Sequence, residues 1–159
     1  MKNIRIKPFI ISLFVCFSAG AIGSIFTASS IPTWYATLNK PFFNPPNWIF
    51  GPVWTTLYFL MAVSLYKVWI NKTNTNNKNI ALICFGSQLL LNTLWSIIFF
   101  GFKSPFLAFI TIIILWILIL QMIISFYRID KNAGLLQIPY LLWVSFAALL
   151  NFFIMILNR

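Results

Sequence analysis

The sequence predicts an all-α, polytopic membrane protein, a bundle of five transmembrane helices forming one domain over residues 1–159. Three observations carry this prediction. Apolar residues make up 61% of the chain, well above the about 45–50% of soluble domains. Charged residues make up only 8%. The charges also fall in narrow bands, leaving uncharged runs at 8–39, 41–66, 79–102, 104–127 and 132–158. Each run exceeds the ~20 residues that cross a hydrocarbon core about 30 Å thick. In lipid the backbone has to satisfy its own hydrogen bonds, so such runs become helices.

The first helix is expected near 7–28. Its start has the look of a secretory signal, with Lys2, Arg5 and Lys7, an apolar stretch at 9–17, then Ser18-Ala19-Gly20-Ala21. The uncharged run continues well past Ala21, so a retained helix is expected. Small residues recur at Cys16, Gly20 and Ser24, and one step over at Ala19 and Gly23. That spacing lets helices approach closely. Packing inside the bundle is the expected use, ahead of a dimer face.

Segment 29–46 holds Pro32, Trp34, Tyr35, Leu38, Pro41, Phe42, Phe43, Pro45 and Pro46. A water-exposed loop has little use for so many aromatics, so they are expected to cover something apolar. Prolines stiffen the segment, and Pro45-Pro46 suits the start of a helix near 46–70. Segment 71–79 is wholly polar and reads as a plain cytoplasmic turn. Helices near 79–101, 104–127 and 133–156 complete the bundle. No internal repeat supports a repeat-built transporter.

An odd number of crossings puts the termini on opposite sides. Lys2, Arg5, Lys7, Lys67, Lys72, Lys78, Arg128 and Lys131 then share one side, and Lys40, Lys103 and Arg159 the other. The positive-inside bias makes the N-terminus cytoplasmic, in a membrane of the bacterial cell-membrane type. The net charge of +10 therefore marks membrane boundaries and not a nucleic-acid surface, which needs a soluble basic module.

Composition excludes much chemistry. Asp130 is the only acidic residue and there is no His. A carboxylate pair and a Ser-His-Asp triad are therefore absent, and so are zinc and calcium ligand sets. Cys16 and Cys84 are isolated and offer neither a disulfide framework nor a redox pair. No metal site and no cofactor is expected, and axial ligation of haem iron lacks its common His.

Aromatic residues reach 19% with seven Trp. A membrane-interface belt accounts for Trp69 and Trp48. It does not account for Trp143, roughly 16 Å along its helix at 1.5 Å per residue. Alternating helix directions puts Trp54, Asn92 and Trp95 toward the outer half of the membrane and Trp143 near its middle, with Ala147 and Asn151 above Trp143. The Trp34/Tyr35 loop lies on that same side. Trp54, Tyr58, Met61 and Leu65 share a helix face, as do Gln88, Asn92, Trp95 and Phe99, and Tyr140, Trp143, Ala147 and Asn151. Gln88, Asn92 and Asn151 are costly against lipid and should face inward. One such amide alone would be a plain interhelical hydrogen bond. Amides together with Trp and Tyr on the same faces suggest a pocket, mostly aromatic with a few polar groups. It would suit a flat, largely apolar ligand stacked on indole rings, with Lys40 and Lys103 at the rim for a negative edge.

The run Trp34-Tyr35-x-x-Leu38-x-Lys40-Pro41-x-x-x-Pro45-Pro46-x-Trp48-x-Phe50-x-Pro52-Val53-Trp54-Thr55-x-Leu57-Tyr58-x-x-Met61-Ala62 resembles the tryptophan-rich sensory protein/translocator protein (TspO/MBR) family. Asn92-x-x-Trp95-Ser96-x-x-Phe99-Phe100 and Pro139-Tyr140-x-x-Trp143-x-x-Phe146-Ala147 resemble it again. The resemblance covers nearly the whole chain. It implies a five-helix bundle, usually homodimeric, with a pocket below the first loop for protoporphyrin IX and for benzodiazepine- or isoquinoline-type drugs. The pocket positions it implies are Trp34, Tyr35, Trp54, Asn92, Trp143 and Ala147, to which the shared helix faces add Tyr58 and Trp95. In some bacterial members it also implies light-dependent breakdown of protoporphyrin IX, with Trp54 and Trp143 as candidate catalytic residues. The cholesterol motif of mammalian members is incomplete: Leu150, Phe152, Phe153 and Arg159 occupy that stretch without its Tyr.

Two functions follow. One is a membrane receptor or sensor that captures a tetrapyrrole for transport or regulation. The alternative is an enzyme that degrades protoporphyrin IX in light. A purely structural role ranks below both, since packing alone does not need the Pro/Trp-rich loop.

Overall fold

A computed structural model of the chain describes residues 5–73 and 75–159. Lys2 and Asn74 lie outside the described residues. The elements are α1 (Ile6–Ser30), a short α2 (Trp34–Thr37), α3 (Phe50–Ile70), α4 (Thr75–Ser96), α5 (Pro105–Ile129), a short α6 (Lys131–Leu135) and α7 (Ile138–Leu157). Among the described residues there is no strand. Five segments are long and apolar enough to cross a membrane: Ile6–Ser30, Asn47–Ile70, Asn76–Gly101, Pro105–Ile129 and Lys131–Leu157.

Three boundaries differ from the sequence expectation. α4 begins at Thr75, inside the segment expected to be a plain turn. Lys78 holds this corner, its Nζ donating to the carbonyls of Trp69 (3.1 Å) and Asn71 and so closing the end of α3. The last crossing is not one helix: a turn at Leu136–Gln137 separates α6 from α7. Pro139 sits in the first turn of α7, where its missing N–H costs nothing. Finally, α4 ends in a π-helical turn, Ile97–Gly101.

Neighbour packing runs α3, α1, α4, α5, α7, and α6 returns to α3. The end of the bundle near Arg5 is dense. Met61, Leu65, Val68, Ile119, Met122, Phe126 and Tyr140 are buried there, and Phe85 stacks on Phe126 at 5.8 Å. Several polar groups there are paired, while Gln137 Oε1 and Gln88 Nε2 are buried without a partner. Asp130 Oδ1 caps α6 by accepting from the Ala133 N–H at 2.8 Å, and its Oδ2 lies 3.5 Å from Lys67 Nζ. Ser64 Oγ donates to the Ala133 carbonyl at 2.6 Å. Gly134 is required at this corner, because a Cβ there would lie 2.6 Å from Tyr127.

The opposite end is more open. Its smaller core comprises Tyr35, Phe99, Ala108, Leu150 and Ile154. The termini lie at opposite ends: the Arg5 N–H donates to Tyr66 OH, while Asn158 reaches Asn39 of the 31–49 connection. Arg5, Lys7, Lys67, Lys72, Lys78, Arg128 and Lys131 gather at the dense end; Lys40, Lys103 and Arg159 gather at the open one.

Candidate functional site

At the open end the helices diverge around a cavity of about 550 Å³. Each wall follows from local sequence. On α1, Gly20 and Gly23 remove side chains where neighbours approach. A Cβ on Gly20 would sit 2.5 Å from the Tyr58 ring, and one on Gly23 would sit 3.2 Å from Ser96 Oγ. The small residues of α1 thus serve packing within the chain, and Gly20, Gly23 and Ser24 also line the cavity.

The facing wall on α3 carries Trp54 and Tyr58 one turn apart, their rings stacked at 5.7 Å. Tyr58 OH accepts from the Asn92 amide at 3.0 Å. On α4, Trp95 stacks on Phe99 at 5.4 Å, and the π turn then brings Phe100 beside Phe99 on the same cavity. Such turns often occur where a helix is reshaped for function. The α7 wall presents Trp143, Ala147 and Asn151. Asn151 accepts from Trp95 Nε1 at 3.1 Å and donates to the Pro105 carbonyl at 2.8 Å, tying α4, α7 and the start of α5 together. The Trp143 ring lies 6.0 Å from Phe50, and its indole N–H is buried without a partner.

The 31–49 connection covers the cavity. Tyr35 is buried against Phe99 and Phe100, and its OH donates to Asn44 Oδ1 at 2.7 Å. Burial pushes the Tyr35 phenol up to about 12, so it stays a neutral donor. Lys40 Nζ donates to the carbonyls of Tyr35 (2.8 Å), Leu38 (3.0 Å) and Ala36 (3.4 Å) and lies 5.0 Å from the Tyr35 ring centre.

Of the eight binding positions expected from sequence, the cavity brings together Tyr35, Trp54, Tyr58, Trp95, Trp143 and Ala147. The other two stand behind the lining. Trp34 packs edge-on against Phe99 at 5.6 Å. Asn92 is buried with its amide engaged by Tyr58. Gln88 lies deeper still, accepting from Tyr140 OH at 2.9 Å. Lys40 departs from its expected place at the rim, because the connection folds around its ammonium. Lys103 is exposed and does not line the cavity. Trp48, expected as a belt residue, also lines the mouth. Sequence patterns did not single out Phe17, Thr27, Ile31 or Ile154, which also line the cavity. Their only signal is apolar or small character, which lipid-facing positions share.

A tight aromatic cavity below a Pro/Trp-rich cover is one observation; the other is the match of residues 12–157 to the model of the TspO/MBR family. The chain belongs to the TspO/MBR family. It is 46% identical over 154 residues to the tryptophan-rich protein TspO of Archaeoglobus fulgidus, covering 97% of this chain and 99% of that one. It is 42% identical over 156 residues to the protein of the same name in Chlorobaculum tepidum, covering 98% and 99%. The human translocator protein is 34% identical over 132 residues, covering 82% of this chain and 78% of the relative. With five membrane-crossing segments, this TspO/MBR member is a multi-pass integral membrane protein.

The TspO/MBR cavity is suited to binding more than to acid–base work. Tyrosines are the only ionisable side chains in its lining. What it offers is stacking surface and a few neutral hydrogen-bonding groups.

Proposed function

We propose that this TspO/MBR protein is a membrane receptor that binds tetrapyrroles of the protoporphyrin IX type, and other flat apolar ligands, for porphyrin transport or regulation. One observation carries the proposal: Trp54, Trp95 and Trp143 come from three different helices to line one cavity under Tyr35. Its volume of about 550 Å³ falls in the usual range for small-molecule sites. The asymmetric charge bands favour an N-terminus on the cytoplasmic side. The test is fluorescence quenching on titration with protoporphyrin IX. Trp54→Ala and Trp143→Ala should each weaken binding by about tenfold, as expected for removing a stacked aromatic anchor. Unchanged affinity in both variants would overturn the proposal.

A second reading has a specific observation in its favour. Trp54 stacks on Tyr58, which lines the cavity, and stands edge-on at 6.3 Å to Tyr140, which is buried behind it, so two phenols adjoin one indole. In light-dependent breakdown of protoporphyrin IX, an indole of Trp54 or Trp143 would give one electron to the photoexcited porphyrin, which passes it to dioxygen, and the phenols beside Trp54 would share the radical left behind. Illumination of the purified protein with protoporphyrin IX tests it. Bleaching that is lost in Trp54→Phe or in Trp143→Phe supports catalysis, and equal bleaching in both variants rejects it.

A further inference from the structure

We infer that the groove between α3 and α7 is a binding site for the acyl chain of a membrane phospholipid, separate from the cavity and divided from it by the Trp143 ring.

The groove exists because α3 and α7 do not close on each other. α3 packs chiefly on α1, and α7 chiefly on α5. Side chains bridge the gap between them: Phe50 meets Trp143 at 6.0 Å, and Trp54 meets Tyr140 at 6.3 Å. Beyond this bridge lies a second concavity of about 550 Å³. Val53, Thr56 and Leu60 line it from α3, and Leu142, Trp143 and Phe146 line it from α7. These spacings put each set in a stripe along one helix face. The α3 stripe runs about 10 Å at 1.5 Å per residue. Of all these residues only Trp143 also lines the cavity.

Both helices belong to membrane-crossing segments, so hydrocarbon is what meets this face. The lining suits hydrocarbon. Only Thr56 and Trp143 carry polar side-chain atoms there, and neither offers them. Thr56 donates its hydroxyl proton to the Pro52 carbonyl at 2.9 Å, and Trp143 Nε1 is buried. No charged side chain lines the groove, so it fits a lipid tail and not a headgroup.

Lipid tails are as apolar as leucine, so apolar burial does not draw a chain in. Contact does. A chain in the groove touches two helices at once, whereas a chain on the convex face of α5 touches one. The Trp143 ring gains from it as well. Its N–H makes no hydrogen bond, so packing alone holds it, against Phe50 at 6.0 Å and Phe146 at 5.5 Å. An acyl chain completes that packing from the groove side.

The test uses the full chain in phosphatidylcholine nanodiscs doped with a phosphatidylcholine that carries a diazirine midway along one acyl chain. Photolysis and peptide mass spectrometry give the label on each helix. Residues 53–60 and 142–146 should carry at least about fivefold more label than the lipid-facing Ile113, Ile117 and Leu120 of α5. Thr56→Phe fills the groove from α3, and Leu142→Trp fills it from α7. Both positions are exposed and neither lines the cavity. Each substitution should bring the groove label down to the α5 level and leave the α5 label unchanged. Loss of the excess in one of the two variants is enough to support the inference. Even labelling of the three helices in the unsubstituted protein would overturn it, because that is ordinary contact with surrounding lipid. So would an excess that survives both substitutions.

Discussion

Asn158 and Asn39, 119 positions apart in sequence, exchange hydrogen bonds across the open end of the bundle. The Asn158 Oδ1 accepts from the Asn39 N–H at 2.9 Å, and its amide donates to the Asn39 carbonyl at 2.9 Å. This pair fastens the cavity cover to the last turn of α7. Asn158→Ala should lower stability by about 1–2 kcal/mol for two neutral hydrogen bonds. Ligand release should quicken more than ligand capture. Stopped-flow dissociation together with thermal unfolding checks this, and an unchanged release rate would show that the cover moves independently of α7.

Gly20 and Gly51 both line the cavity yet should respond oppositely to a side chain. A Cβ at Gly20 enters the Tyr58 ring, whereas one at Gly51 meets open space. Gly20→Val should therefore displace Tyr58 from Asn92 and cost about 1–3 kcal/mol through overpacking. Gly51→Ala should be neutral in unfolding and in binding. Thermal unfolding of both variants in the same detergent separates the two cases.

The Trp95–Asn151 hydrogen bond should behave as a coupled pair. Trp95→Phe leaves Asn151 Oδ1 without its donor in a buried place, at a cost of about 1–3 kcal/mol. Asn151→Leu removes the acceptor and also the bond to the Pro105 carbonyl. In a double-mutant cycle the combined variant should be less destabilised than the sum of the two single changes. Strict additivity would mean that the bond contributes nothing.

Lys40 should act through the cover and not as a ligand contact. Lys40→Met removes the donor to three backbone carbonyls of the connection. Affinity for protoporphyrin IX and for its dimethyl ester should fall by the same factor, about threefold to tenfold. A loss confined to the dicarboxylate would instead identify Lys40 as its ion-pair partner.

Much of the architecture was legible before any coordinates. The crossings at Ile6–Ser30 and Pro105–Ile129 lie within two residues of their expected ends. Lipid offers no alternative partners for backbone groups, so a long uncharged run can only be helix. The inward direction of Gln88, Asn92 and Asn151 was legible for the same reason. Other features depended on contacts distant in sequence. The break between α6 and α7 depends on Ser64 and Lys67 meeting the Ala133 and Asp130 corner. The removal of Asn92 from the lining depends on where the Tyr58 ring comes to rest, which Gly20 permits from another helix.

The sequence by itself determined that the chain crosses a membrane five times, that its cations band at the two ends, and which helix faces carry the indoles. Charge and hydropathy decide these locally, residue by residue, against the bilayer. Only the tertiary structure decided that the indoles of Trp48, Trp54, Trp95 and Trp143 share one cavity, and that the Lys40 ammonium is folded into its own loop instead of facing a ligand. Those outcomes depend on close packing between helices, where a missing Cβ or one carbonyl of the 31–49 connection redirects a whole side chain.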